Sequence, residues 1–137
     1  MPEREKITQL VEALGDFEQE ECPVKHHFAP GVYIREIFMP KGACVIGKIH
    51  ATEHFNIILK GRVSVICGDK TETFEAPYTF VSEAGIQKIV YMHEDCIWQT
   101  VHITDKTDLE EIEADVIALN YDDLDNRLNQ GETKCLG

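Results

Sequence analysis

The stretch that most restricts how this chain can fold is Gly42 to Gly61, GACVIGKIHATEHFNIILKG, where two β-prone runs flank a short polar break with an imidazole on each side. Val45–His50 and Phe55–Leu59 are rich in β-branched and large apolar residues, whereas Ala51-Thr52-Glu53 is short and polar, so a hairpin-like turn between two strands is expected. Side chains alternate between faces along a strand. If His50 points inward, Ile46 and Lys48 follow it, and on the returning strand His54, Asn56 and Ile58 join them while Phe55, Ile57 and Leu59 take the other face. Apolar residues on both faces predict strands covered on both sides, as in a closed or two-sheet barrel.

The rest of the chain reads as walls around that stretch. Val32–Phe38, Arg62–Cys67, Glu72–Glu75, Thr79–Ser82, Gln87–Met92 and Ile97–Ile103 recur at short spacing, separated by turn signals such as Pro40-Lys41-Gly42, Gly68-Asp69-Lys70 and Glu83-Ala84-Gly85. This is the pattern of an all-β sandwich or jelly-roll barrel. Arg35 and Glu36 are adjacent within a strand and so lie on opposite faces, one of them inward. Before the barrel, Ile7, Leu10, Val11 and Leu14 have helical spacing and Gly15 follows as a stop, predicting a short amphipathic helix over residues 3–14. Residues 17–30 read as an irregular connection carrying a solvated pair, His26 and His27. After the barrel, Thr107-Asp108-Leu109-Glu110 has capping-box spacing with Thr107 as N-cap, and a helix is expected through about Ala118 with Leu109, Ile112 and Val116 on its apolar side. The expected organisation is residues 1–30 for the helix and connection, 31–104 for the barrel, 105–120 for the second helix and 121–137 for a loosely held acidic tail.

A length of 137 residues suits one domain with one ordinary core. The formal net charge of -12, without clusters of Lys or Arg, argues against a nucleic-acid partner. The opening MPEREKITQL lacks an apolar segment and no later run is long enough to span a bilayer, so no membrane association is expected and the cytoplasm is the default location. Five scattered cysteines, without a CxxC pair, fit reduced thiols.

The spacing Gly42, five residues, Lys48, one residue, His50, three residues, His54, six residues, Gly61 resembles the first sequence motif of the cupin family. Both glycines, His50 and every gap agree, while Lys48 stands where that motif has its first histidine and His54 where it has a glutamate. In the segment resembling the second motif, from Pro77 to Met92, Gly85 is retained and Lys88 occupies the position of a metal-binding histidine. The likeness runs from about Gly31 to Ile103 and is most similar to small one-domain cupins of bacteriophages. It implies a double-stranded β-helix, a homodimer or larger assembly, and metal-dependent oxygenase, isomerase or lyase chemistry as the range of activities; for a phage protein, the location is the host cytoplasm.

Imidazole is a common ligand of first-row metals, and at least three donors must converge to hold one. Alternation on the last strand puts Trp98, Thr100 and His102 on one face, so the candidate metal ligands are His50, His54 and His102, for Fe, Mn, Ni or Zn in the divalent state. The competing reading is a polar cavity in which these rings are merely hydrogen-bonded. Lys48, tied in parity to His50, and Lys88 would make the cavity electropositive and suit a small anionic ligand, although Lys88 also reads as a surface lysine with a buried stem. Asn56, Tyr91, Trp98 and Thr100 complete the candidate small-molecule contacts. No GxSxG, P-loop, GxGxxG or HExxH pattern is present. Three functional readings follow: a metal-dependent cupin acting on a small polar or anionic molecule, a metal-free cupin binding an anionic metabolite, and a non-catalytic phage accessory or structural protein.

Overall fold

The computed structural model describes residues 22–136, with side chains described as far as Leu128. The helix expected over residues 3–14 lies outside the described residues. Eleven strands are present among them: β1 Val24–Ala29, β2 Val32–Met39, β3 Cys44–Ile46, β4 Ile49–His50, β5 His54–Lys60, β6 Arg62–Cys67, β7 Lys70–Glu75, β8 Tyr78–Ser82, β9 Ile89–Met92, β10 Cys96–Ile103 and β11 Ile117–Ala118. Two helices, α1 Leu109–Val116 and α2 Tyr121–Leu136, follow the barrel strands.

The strands form a five-stranded sheet in the order β1-β2-β10-β5-β8, a four-stranded sheet β3-β9-β6-β7 and a small β11-β4 pair, all antiparallel. Alternation turns one set of side chains from each large sheet toward the other. Ile37, Ile58 and Trp98 meet Val45, Val63, Val65, Val90 and Met92 in a single buried cluster. Each such side chain contributes about 1.5–3 kcal/mol through removal of its surface from water. The β5–β6 turn is closed by Gly61 at a φ of +99°, where any Cβ would run into the backbone carbonyl oxygen of Asp95, so only glycine fits.

Four local expectations are corrected. First, β4 does not continue β3: Gly47 and Lys48 interrupt the strand, with the Gly47 N–H donating to the Lys88 carbonyl at 2.8 Å. Period-two alternation does not carry across that break, so Val45 rather than Ile46 enters the core while His50 still faces inward. Second, residues expected to be irregular form β1, an edge strand held to β2 by backbone pairing from Val24↔Ile37 to Ala29↔Val32. Its polar side chains hid it, because almost all of them are exposed. Third, the outer sheet face is uncovered at several points: Phe55 is 54% and Leu59 48% exposed, whereas burial on both faces was expected.

The fourth correction concerns the C-terminal region. The N-cap of α1 is Asp108, whose carboxylate accepts from the Glu110 N–H at 2.9 Å, rather than Thr107. Tyr121–Leu136 is helical, where a loose tail was expected. Asn120 caps α2 by accepting from the Asp123 N–H at 2.8 Å, and Leu124 is fully buried with Ile49 and Ala118. Arg127 ties the helix back to α1, donating to the Ala114 carbonyl at 2.7 Å. One deeply buried leucine and a few polar ties anchor this end of α2, so its sequence lacks a broad apolar stripe.

Ile58 has no exposed surface and lies at the centre of the sheet-to-sheet cluster. Ile58→Ala is expected to lower the unfolding free energy by about 2–5 kcal/mol, measured by urea denaturation. A loss below about 1 kcal/mol would mean that the two sheets do not share this core.

Candidate functional site

A cavity of about 270 Å³ opens between the two sheets and beneath α1. That is room for about nine waters at their liquid volume, or one small metabolite. His50 and His102 line the cavity, and His54, which is not among the lining residues, stands against both of those rings. β5 carries His54 and β10 carries His102, each inward by alternation, and His50 comes from β4, whose backbone is pinned by pairing to β11. The ring centroids stand 4.3 Å apart for His50 and His54, 5.3 Å for His54 and His102, and 5.8 Å for His50 and His102. The three sequence-predicted rings therefore meet.

Their hydrogen bonding is incomplete. His54 Nδ1 donates to the Thr52 carbonyl at 2.9 Å, which leaves Nε2 as a bare lone pair, and that atom has no partner among the described residues. Nδ1 of His50 and Nδ1 of His102 are likewise buried without a partner among the described residues. Three such atoms in one place are unusual, because buried polar groups are nearly always satisfied. Burial is the leading reason all three rings resist protonation, with neighbouring charges adding to it. The pKa of His50 falls to about 2, lowered by burial and then by His54, Lys88, His102 and Arg35. His102 falls to about 4 through burial, His54 and Arg35. His54 is lowered by burial and by Lys88, against the opposing hydrogen bond to Thr52. Neutral imidazoles with free ring nitrogens are chemically ready to ligate a metal. Even so, among the described residues no group of three or more His, Cys, Asp or Glu side chains is arranged so that it could hold a metal ion.

The remaining candidate residues divide. Asn56 and Thr100 are buried and line the cavity. Asn56 is also a polar tie within the wall, accepting from Trp98 Nε1 at 3.1 Å and donating to Ser82 Oγ at 2.8 Å. Trp98 lines the cavity and packs edge-on against Phe80. Lys88 is half-buried in the lining rather than on the surface, and burial lowers its pKa to about 8. Lys48 reaches only the rim, where it is half-exposed and ion-paired with Glu113 of α1. Tyr91 is corrected: it is 42% exposed, stacks edge-on with His93 and is not among the lining residues, because Val90 and Met92 take the inward positions of β9.

Arg35, Tyr33 and His26 line the cavity without having been singled out for the site. The Arg35/Glu36 alternation resolves with Arg35 inward, while Glu36 faces out and accepts from Gln99 Nε2 at 2.8 Å. Tyr33 bonds His26 Nδ1 through its hydroxyl at 2.7 Å and stacks 6.0 Å from His102. The parity of β2 was the signal that could have found Tyr33 and Arg35 together.

Solved structures share this arrangement of strands. One is an RmlC-like cupin family protein with a double-stranded β-helix fold from Methanocaldococcus jannaschii, with a TM-score of 0.53 at 14% identity, covering 61% of this chain and 81% of that one. A cupin domain from Schizosaccharomyces pombe matches with a TM-score of 0.52 at 19% identity over 70% of this chain and 72% of that one. An acetylacetone dioxygenase from Acinetobacter johnsonii matches with a TM-score of 0.51 at 15% identity, covering 60% of this chain and 59% of the enzyme. The sequence matches no family model and no curated protein. At these identities the likeness is one of fold: the chain is an all-β protein with the cupin double-stranded β-helix. Among the described residues no helix is long and apolar enough to cross a membrane.

The depressed histidine pKa values carry a sign for stability. His50 and His102 titrate at about 2 and about 4 in the folded state against an ordinary 6.5, so below that pH the unfolded chain binds more protons. Their contribution is complete above about pH 6.5 and is lost as the pH falls toward those values. In chelator-treated protein the unfolding free energy is expected to decline between about pH 7 and pH 5.5, with a shallower decline in a His50→Gln, His102→Gln variant. An unchanged slope in the variant would show that these rings titrate normally.

Proposed function

We propose that the cavity binds a divalent first-row metal ion through His50, His54 and His102 and holds a small anionic molecule beside it. The observation that carries this reading is the meeting of three neutral imidazoles, each with a buried ring nitrogen that has no partner among the described residues. Centroid separations of 4.3–5.8 Å put the three rings within reach of one ion. The hydrogen bond from His54 Nδ1 to Thr52 is the kind of second contact that fixes the tautomer of a metal-ligating histidine. A bound metal would supply a Lewis acid for an oxygen-bearing ligand. The chain's own residues bind and orient that ligand, and Ile112 and Val116 of α1 shield one side of it from water. The acetylacetone dioxygenase among the structural neighbours supports small-molecule chemistry of this general kind on this fold.

A second reading is a metal-free anion receptor. It is favoured by the absence, among the described residues, of a finished ligand set and by the cationic side chains lining the cavity. Elemental analysis of untagged protein separates the two. Close to one equivalent of metal per chain is expected, falling at least tenfold in a His54→Ala, His102→Ala variant that remains folded by circular dichroism. Metal-free wild-type protein that also fails to take up added Mn, Fe, Ni or Zn would remove the metal reading.

A further inference from the structure

The cavity's charge does not match the protein that surrounds it. The chain carries a formal net charge of -12, yet among the described residues the charged side chains lining the cavity are Arg35, Lys48 and Lys88 against the single carboxylate of Glu113. Glu113 is engaged with Lys48 at the rim. Its field also reaches Arg35, but neither Arg35 nor Lys88 has an ion pair or hydrogen bond to a side chain among the described residues. Arg35, Lys48 and Lys88 against Glu113 leave the described lining with a surplus of two positive charges. Cations withdrawn from water without a counter-charge are costly, and proteins ordinarily pair them. Burial indeed lowers the pKa of both side chains.

The two cations come from opposite walls. Arg35 belongs to β2 of the five-stranded sheet, where it pairs with Thr100, one inward position along from the Tyr33–His102 pair. Lys88 immediately precedes β9 in the four-stranded sheet, and its carbonyl is fixed by the Gly47 N–H. Both side chains line the same cavity as His50 and His102, so the two charges face one space. Arginine offers a planar fork that matches a carboxylate, whereas lysine offers a point charge. A ligand with one anionic group at each end satisfies both walls and cancels the surplus, and the volume admits only a small one.

We propose that the cavity is a receptor for a small dicarboxylate, held with one carboxylate on the Arg35 guanidinium and the other on the Lys88 ammonium. The proposal rests on the cavity being a ligand site, as argued above, and does not depend on the metal. The ligand lies between the sheets, and Lys48 and Glu113 frame its entrance at the rim. Tyr33 and Thr100 flank Arg35 and limit the width available beside it.

The test uses the full chain stripped with chelator, then repeated with added Mn or Zn. Malonate, succinate and 2-oxoglutarate are titrated by calorimetry at fixed ionic strength, alongside acetate, inorganic phosphate and the uncharged diamide of succinate. At least one dicarboxylate is expected to bind the stripped protein at least tenfold more tightly than acetate, with no binding of the diamide. Arg35→Gln and Lys88→Met each remove a charge-assisted contact and are expected to weaken that dicarboxylate by about tenfold or more. Both variants relieve an uncompensated cation, so they should melt no lower than the parent, which confirms folding. The proposal is overturned if no dicarboxylate binds, if phosphate binds better than every dicarboxylate, or if the Arg35→Gln, Lys88→Met double variant binds as the parent does. Dicarboxylate binding in protein that never takes up metal would retire the metal reading while leaving this one standing.

Discussion

The structure depends on the antiparallel ladder that holds β10 on both edges. Cys96–Ile103 is paired with β2 from Cys96↔Met39 to Ile103↔Val32 and with β5 from Ile97↔Lys60 to Val101↔Phe55. This double pairing sets the register of every inward row: Ile37, Trp98 and Ile58 in the apolar core, Arg35, Thr100 and Asn56 one row along, and Tyr33 with His102 beyond them. Core and cavity are thus successive rows of one sheet face. A slip of one residue would send the tryptophan, the threonine and the histidine outward together. The apolar rows make such a slip costly and so hold the polar rows in place.

The second determinant is desolvation. Burial keeps three imidazoles away from water, which favours their neutral form and, among the described residues, leaves ring nitrogens bare, and the one described carboxylate beside Arg35 and Lys88 in the cavity, that of Glu113, is paired with Lys48. Each of these arrangements raises the energy of the empty cavity, and each is relieved by a particular kind of occupant. Bare nitrogens are relieved by an acid, in the Lewis sense, and unpaired cations by an anion. A metal ion alone would add positive charge beside Arg35 and Lys88. An anionic co-ligand would lower that cost, so the two proposed occupants would favour each other's binding.

Much of this was legible in the chain because it follows from period two within unbroken strands. The inward set His54, Asn56, Ile58 on β5 and the set Trp98, Thr100, His102 on β10 could be read directly, and with them two of the three site histidines. Legibility failed where periodicity is interrupted or carries no contrast. The break at Gly47-Lys48 depends on a backbone contact to Lys88, forty residues on, and so reset the parity of Ile46 without any local mark. β1 shows no alternation because nearly all of its side chains are exposed. In β2 the sequence could say that Arg35 and Glu36 part company but not which one turns inward, since that choice is made by pairing with β10. Tyr91 was misplaced because β9 is anchored by its inward Val90 and Met92, and an aromatic on the outer face looks no different in sequence from one at a pocket mouth. The beginning of α2 escaped notice because Leu124 anchors it with little other apolar support.

The central claim is that these three imidazoles are neutral inside the folded protein, with His54 in the Nδ1–H form. Long-range proton–nitrogen correlation NMR of ¹⁵N-histidine-labelled, chelator-treated protein reads both properties for each ring. At about pH 5.5 the spectra should show His50 and His102 uncharged, and at pH 7 Nε2 of His54 should be unprotonated. Imidazolium signals for these rings that titrate near the ordinary pKa of 6.5 would contradict it.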